Sequence, residues 1–267
     1  MPPPHIGKEG RPALLAAFAE ERLQAWREQR LERRAASDIT DLSLDEAYQV
    51  QSLFLQARER TGERIVGWKI GCTSPAIQEQ FGLTQPICGR LLEPHILHDG
   101  DTLRSEDYVE CAVEAEMAML IGRDLEPGMD VAEVRNSIAA VSPAIELHNY
   151  HFWYGRPTSQ ELIASNGIHA GLVLGRRHSL AGHDLDDELM QVFVNGSMEA
   201  HGAGRDVMGG PMRSLQWLAR HVAASGERVR AGDLVIPGSA VRLVGVAAGD
   251  SIEARFSSLG SCCARLL

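Results

Sequence analysis

Apolar and polar positions follow two different periods along this chain, and the change between them divides it. Residues 13–36 have helix-forming composition, and "SLDEAYQVQSLFLQARER" (43–60) opens with Ser43 and places Glu46 three positions on, the spacing of a capping box. Two helices are therefore expected to fill most of the first 60 residues. After Thr61 and Gly62, short apolar runs separated by glycines take over, beginning with "RIVGWKIG", so a β-rich body starts near Arg64. Strands are predicted near 65–71, 109–121, 170–175, 190–195, 233–237 and 250–256. One helix interrupts them: Pro211 stands at its first turn, Met212, Leu215, Leu218, Ala219 and Val222 form its apolar stripe, and Gly226 marks its end. No internal repeat or low-complexity linker separates the parts. A helical portion over 1–62 and a β-rich body over 63–267 are expected to pack as one unit of the α+β class.

The stretch "YVECAVEAEMAMLIG" (108–122) breaks the expected pattern of a buried strand with three acids. Side chains alternate along a strand, so Val109, Cys111, Val113, Ala115, Met117 and Met119 share one apolar face while Glu110, Glu114 and Glu116 share the other. Acids of an amphipathic strand facing water account for that pattern. So do acids gathered around a cation, and two features favour the latter. The acidic face runs on into Ala118 and Leu120, and carboxylates side by side in reduced dielectric repel unless a cation lies between them. Oxygen ligands of this kind suit Mg²⁺ and Mn²⁺. A further acid, Glu146, sits in the apolar run of "VSPAIELHNYHFWYG", followed by His148 and His151.

Composition narrows the class. A hydrophobic share of 44% over 267 residues supports a sizeable core, and no run reaches the roughly 18 apolar residues of a membrane span. The opening "MPPPHIGKEGRP" lacks the apolar centre of a secretory signal, so a cytoplasmic protein is expected. A net charge of -10 argues against nucleic acid or an anionic membrane as partner. Arginines between 22 and 34 are interleaved with glutamates, as on a solvated helix face. Five cysteines, Cys72, Cys88, Cys111, Cys262 and Cys263, form no C-x-x-C pair and read as free thiols.

Taken in order, "IVGWKIGCTSPAIQEQFGLTQP" (65–86), "VEAEMAMLIGRDL" (113–125), "SPAIEL" (142–147), "GLVLG" (171–175), "VNGSMEAHGAGRDVMGGPMRSLQWLARH" (194–221) and "RAGDLVIPGS" (230–239) resemble the fumarylacetoacetate hydrolase superfamily, in its 2-keto-4-pentenoate hydratase and 4-oxalocrotonate decarboxylase branch. The resemblance spans nearly the whole chain in one register. It implies a mixed β-roll with a helical N-terminal portion, and Mg²⁺ or Mn²⁺ held by Glu114, Glu116 and Glu146. It further implies that the metal chelates a small 2-oxo or 2-hydroxydienoic acid, that Lys69 stands near the reacting atoms, that Gly71 and Ser239 contact substrate, and that the protein is a homo-oligomer. Flanked by Trp68 and Ile70, Lys69 either has a lowered pKa or supplies fixed positive charge.

The chain also departs from the pattern. Ile87, in "QPICGRLL", stands where the hydratases usually carry the aspartate of P-D-F-G, and Ile168 and His169, in "SNGIHAG", occupy a region where a serine is usual. Pro237 replaces a common threonine. His169 is the candidate to take over general acid or base work, with His148 and His151 behind it, and the aromatic "YHFWYG" (150–155) reads either as a substrate wall or as a loop pinned by core aromatics. There is no G-x-S-x-G elbow, and the glycines of "HGAGRDVMGG" do not fit a dinucleotide-binding turn. The expected activity is metal-dependent hydration of a 2-hydroxy-2,4-dienoic acid in the catabolism of ring-cleaved aromatic compounds. Decarboxylation of a 2-oxo-enedioate is the alternative. C–C hydrolysis or isomerisation stands behind it, and binding of a 2-oxo acid without turnover is the reading from another class.

Overall fold

In a computed structural model, residues 10–29, 42–149 and 157–267 are described, so the end of the 13–36 segment, His151 and "YHFWYG" lie outside the described residues. Helix α1 (Arg11–Arg27) precedes α2 (Leu44–Arg60), and α2 begins as its sequence dictates. The Ser43 hydroxyl accepts from the Glu46 N–H at 3.2 Å, and the Glu46 carboxylate accepts from the Ser43 N–H at 2.8 Å. Arg11 of α1 donates to the same carboxylate at 2.6 and 2.8 Å, tying the two helices together. Their apolar faces, including Leu15, Phe18, Val50 and Phe54, form one cluster that reaches Leu92 and Ala164 of the body. From α2, the Gln51 amide donates to the carbonyls of Cys88 and Ile163 at 3.0 and 2.7 Å, so two buried backbone oxygens of the body are satisfied by this helix.

The body supplies β1 (Ile65–Gly71), α3 (Pro75–Gln80), β2 (Ile87–Leu92), β3 (Ile96–His98), β4 (Thr102–Leu103), β5 (Cys111–Ile121), α4 (Val131–Asn136) and β6 (Ile138–Asn149). After these come α5 (Ser159–Ala164), β7 (His169–Leu174), β8 (Leu189–Val194), β9 (Ser197–Ala203) and α6 (Pro211–Ala223). β10 (Leu234–Ile236), β11 (Val244–Gly245), β12 (Ser251–Phe256) and β13 (Gly260–Leu266) close the chain. The larger sheet runs β2-β1-β10-β5-β6-β7-β3, with β11 on the other end of β5, and the smaller runs β4-β13-β12-β8-β9. Parallel pairs (β1 with β10, β3 with β7, β4 with β13) stand among antiparallel ones. This is the mixed α+β architecture expected of the β-roll, preceded by a helical N-terminal region.

The odd-numbered face of β5 is the apolar one, as alternation requires. Val113, Ala115, Met117 and Met119 are wholly buried against Met190, Val192, Ile252 and Ala254 of the small sheet and against Leu215 and Leu218 of α6. Burial of each larger side chain contributes about 1.5–3 kcal/mol, which fixes the register of β5 and with it the opposite face. On that opposite face Ala118, Ala144, Leu172, Ile236 and Leu91 form a second, smaller apolar cluster that floors the acids. Glu110 does not join them. It lies just before β5 in a left-handed conformation (φ 49°) and is exposed, so the alternation that groups three acids holds only for the two inside the strand. The five cysteines are unpaired. No helix among the described residues is long and apolar enough to cross a membrane.

Candidate metal centre

β5 and β6 pair antiparallel with Glu114 directly opposite Glu146, and Glu116 opposite Ala144. Opposed residues on one face bring their side chains within contact, so the sheet itself places like charges together. Glu146 is 1% exposed and Glu116 0%. His148, two residues beyond Glu146 and on its face, puts Nε2 3.4 Å from an oxygen of Glu114 and 3.4 Å from one of Glu146. Donor atoms of Glu114, Glu146 and His148 all lie within 4.8 Å of one another. Glu116 is outside that tightest group. Neither of its buried oxygens has a hydrogen-bond partner among the described residues, nor does either ring nitrogen of His148.

Lys69 enters from β1. Its Nζ lies 2.9 Å from Glu146 Oε1 and donates to the Gly167 carbonyl at 3.1 Å. Three glycines leave room for it: a Cβ on Gly167 would sit 3.1 Å from Nζ, one on Gly89 3.2 Å from Cγ, and one on Gly71 3.7 Å from Nζ. Gly71 is thus a neighbour of the ammonium. Burial alone would pull Lys69 down, but Glu146, with Glu114 and Glu116 behind it, holds its pKa above the ordinary value. That direction is opposite to a lowered pKa, one of the two expectations for this lysine.

His169 faces the centre because of an irregularity. Up to Leu147, β6 and β7 pair in step, but the register then shifts so that His148 faces His169. Without that bulge His169 would point to the opposite face with Gly171 and Val173. Its Nδ1 is 2.8 Å from Glu146 Oε1, and Nε2 is buried with no partner among the described residues. Burial pushes His169 down to about 4, against the pull of Glu146, so the ring is neutral near pH 7. Since Glu146 is held well below the usual carboxylate range despite its burial, chiefly by Lys69 and then His148, it stays ionised and accepts a hydrogen bond from the Nδ1–H. Nε2 is left with a free lone pair. Glu116 goes the other way: burial, then the charges of Glu146 and Glu114, raise its pKa well above the ordinary value. The Gly238 N–H opposes this shift without meeting hydrogen-bond geometry.

Asn166 holds these parts in place, and sequence reasoning missed it. Its amide pairs with the backbone of Arg90 in both directions, accepting from the N–H at 2.7 Å and donating to the carbonyl at 2.9 Å. Asn166, Gly167 and Ile168 are all left-handed, with φ of 58°, 64° and 55°. Asparagine and glycine tolerate this conformation; a β-branched isoleucine does not. The turn presents the Gly167 carbonyl to Lys69 and starts β7 at His169. Ser239, by contrast, spends its hydroxyl on structure, donating to the Ala115 carbonyl at 2.9 Å and accepting from the Val241 N–H at 3.1 Å. That tethers the loop after β10 to β5.

Residues 91–267 match the family model described as fumarylacetoacetate (FAA) hydrolase C-terminal, two thirds of the chain and all of the strands that carry the acids. The chain belongs to the FAA hydrolase family. Among its relatives, the TodF product hydratase of Pseudomonas putida is 35% identical over 84% of this chain and 84% of its own length. The 2-hydroxyhexa-2,4-dienoate hydratase of Comamonas testosteroni is 30% identical over 86% of this chain and 90% of its own. A solved structure of 4-oxalocrotonate decarboxylase from Pseudomonas putida G7, complexed with magnesium and adipate, superposes with a TM-score of 0.92 at 29% identity, covering 96% of this chain and 98% of that one. The same decarboxylase has also been solved with calcium and acetate. These FAA hydrolase relatives fall in the hydratase and decarboxylase branch that the motifs indicate.

Proposed function

We propose that this protein is a divalent-metal-dependent lyase that adds water to a small 2-hydroxy-2,4-dienoic (2-oxo-enoic) acid in the catabolism of ring-cleaved aromatic compounds, and that it works in the cytoplasm as a homo-oligomer. One observation carries the reading: Glu114 and Glu146 oppose each other across β5 and β6 while both oxygens of the neighbouring Glu116 are buried without a partner among the described residues. Carboxylates arranged in this way fit a cation, which removes their repulsion and satisfies the orphaned oxygens. Glu114, Glu116 and Glu146 would hold Mg²⁺ or Mn²⁺, with His148 beside them. Bound there, the ion would supply a Lewis acid to the two adjacent oxygens of a 2-oxo carboxylate.

The chain's own residues do the rest. Lys69 is a fixed ammonium aimed by Glu146 and Gly167, and it stabilises negative charge developing on the substrate oxygens. His169, oriented through Nδ1, accepts a proton at Nε2 from the enol hydroxyl or from the incoming water and returns it to carbon. Gly71 keeps the space beside the ammonium open for substrate. Ser239, whose hydroxyl donates to Ala115 and accepts from Val241, contacts substrate through its remaining lone pair. Decarboxylation is the second reading. It is favoured by the two isoleucines, Ile87 and Ile168, which cannot position a water.

Incubating the protein with 2-hydroxypenta-2,4-dienoate, and separately with 2-oxohex-3-enedioate, with Mg²⁺ and with or without a chelator, tests both readings by product mass. Chelator-sensitive gain of water supports the hydratase. Chelator-sensitive loss of CO₂ from the enedioate replaces it by the decarboxylase, and no turnover of either with metal present contradicts both.

A further inference from the structure

Ile87 and Ile168 lie far apart in sequence, yet they belong to one buried apolar cluster with Leu83 and Leu162. Cys72 and Phe81, both half-buried, pack against it. This cluster adjoins the metal centre directly. The position a Cβ would take on Gly71 is 3.5 Å from Ile87 Cγ1 and 3.7 Å from Lys69 Nζ, so one empty side-chain position separates isoleucine from ammonium. Ile168 follows Gly167, whose carbonyl accepts from Lys69, and precedes His169. The Cys72 thiol, pushed up to about 11 chiefly by burial, feels the charges of Lys69 and Glu114. The apolar surface and the charged centre are thus adjoining walls of one site.

Resting on the function proposed above, we propose that the Ile87–Ile168 wall receives the end of the substrate remote from its 2-oxo carboxylate and selects an alkyl tail over a tail bearing a second carboxylate. The physical case is one of unequal burial. A methyl or methylene group against isoleucine and leucine gains by leaving water, whereas a carboxylate in the same place loses its hydration against side chains that, among the described residues of the cluster, carry no cation to replace it. Lys69, one side-chain position from the wall, is paired with Glu146 and donates to the Gly167 carbonyl. At Ile168 the left-handed φ of 55° makes a β-branched side chain costly, so this position bears strain beside the metal centre. An asparagine would fit the backbone better. It would also bring a polar group into the wall.

The test uses two unreactive acids of equal chain length, 2-oxohexanoate and 2-oxohexanedioate, titrated calorimetrically into the Mg²⁺-loaded protein. The wall predicts that 2-oxohexanoate binds at least tenfold more tightly. It also predicts that Ile168→Asn, with its fold checked by circular dichroism, narrows that ratio at least fivefold without altering Mg²⁺ affinity. Equal or tighter binding of the diacid by the wild-type protein overturns the wall while leaving the lyase reading intact. If neither acid binds in the presence of Mg²⁺, the lyase reading itself falls, and the wall with it.

Discussion

Glu116 is a buried carboxyl with no hydrogen-bond partner among the described residues, and burial with the charges of Glu146 and Glu114 makes its ionisation costly. In the presence of a chelator, Glu116→Gln should therefore stabilise the fold, by about 1–3 kcal/mol in urea denaturation, because an amide is cheaper to bury than an unpartnered carboxylate. A variant less stable than wild type under chelation would mean that the carboxylate is satisfied by the protein alone. At His169, the Asn variant keeps a polar side chain but loses the ring that links Glu146 to the free Nε2. Turnover should fall about 100-fold or more while Mg²⁺ still binds, the signature of a lost proton acceptor. Asn166→Ala removes both hydrogen bonds to Arg90 and leaves a left-handed alanine, at a cost of about 3 kcal/mol. Calorimetric unfolding would measure that loss directly. Residues of this last kind are hard to see in sequence. Glu114, Glu116, Glu146 and Lys69 betray themselves as charge inside apolar runs, but Asn166 before Gly167 looks like any turn, and its partner is 76 positions away.

Elements were legible where period and punctuation agreed. The capping box at Ser43, the stripe of α6 and the strands β1, β5, β7, β8, β10 and β12 all stand within a few residues of their expected places. β6 was not anticipated as a strand because Ser142 and Pro143 interrupt its apolar run. Pro143 nevertheless pairs with Met117, and its carbonyl accepts from the Gly175 N–H at 2.9 Å. The turn of His169 into the centre was equally hidden, since a bulge is a property of two paired strands and neither sequence announces it. Helix packing makes its own prediction. The Arg11 hydrogen bond, the leading cause, holds Glu46 down to about 2. A carboxylate depressed in the folded state stabilises above its unfolded pKa and ceases to do so as pH falls through the folded one. Glu46→Gln should thus cost about 0.5–1 kcal/mol at pH 7, a modest figure because the pair is partly exposed, with the difference vanishing as pH falls from 4.5 toward 2. A constant difference over that range would remove Arg11 from the account.

At the scale of the molecule, one sheet does two jobs. Its odd face on β5 is the apolar core shared with the small sheet and α6; its even face gathers acids, lysine and histidines over a thin apolar floor. Stability gained on the first face holds together the repelling charges on the second. A cation that relieves the repulsion should accordingly stabilise the whole fold, raising Tm by an amount that grows with metal concentration. The most direct measurement is a Mn²⁺ titration followed by electron paramagnetic resonance of the free ion, on the wild-type protein and on Glu116→Gln. The metal-centre account predicts one saturable site per chain, weakened at least tenfold in the variant. Absence of a saturable site, or equal affinity in the two proteins, would contradict it.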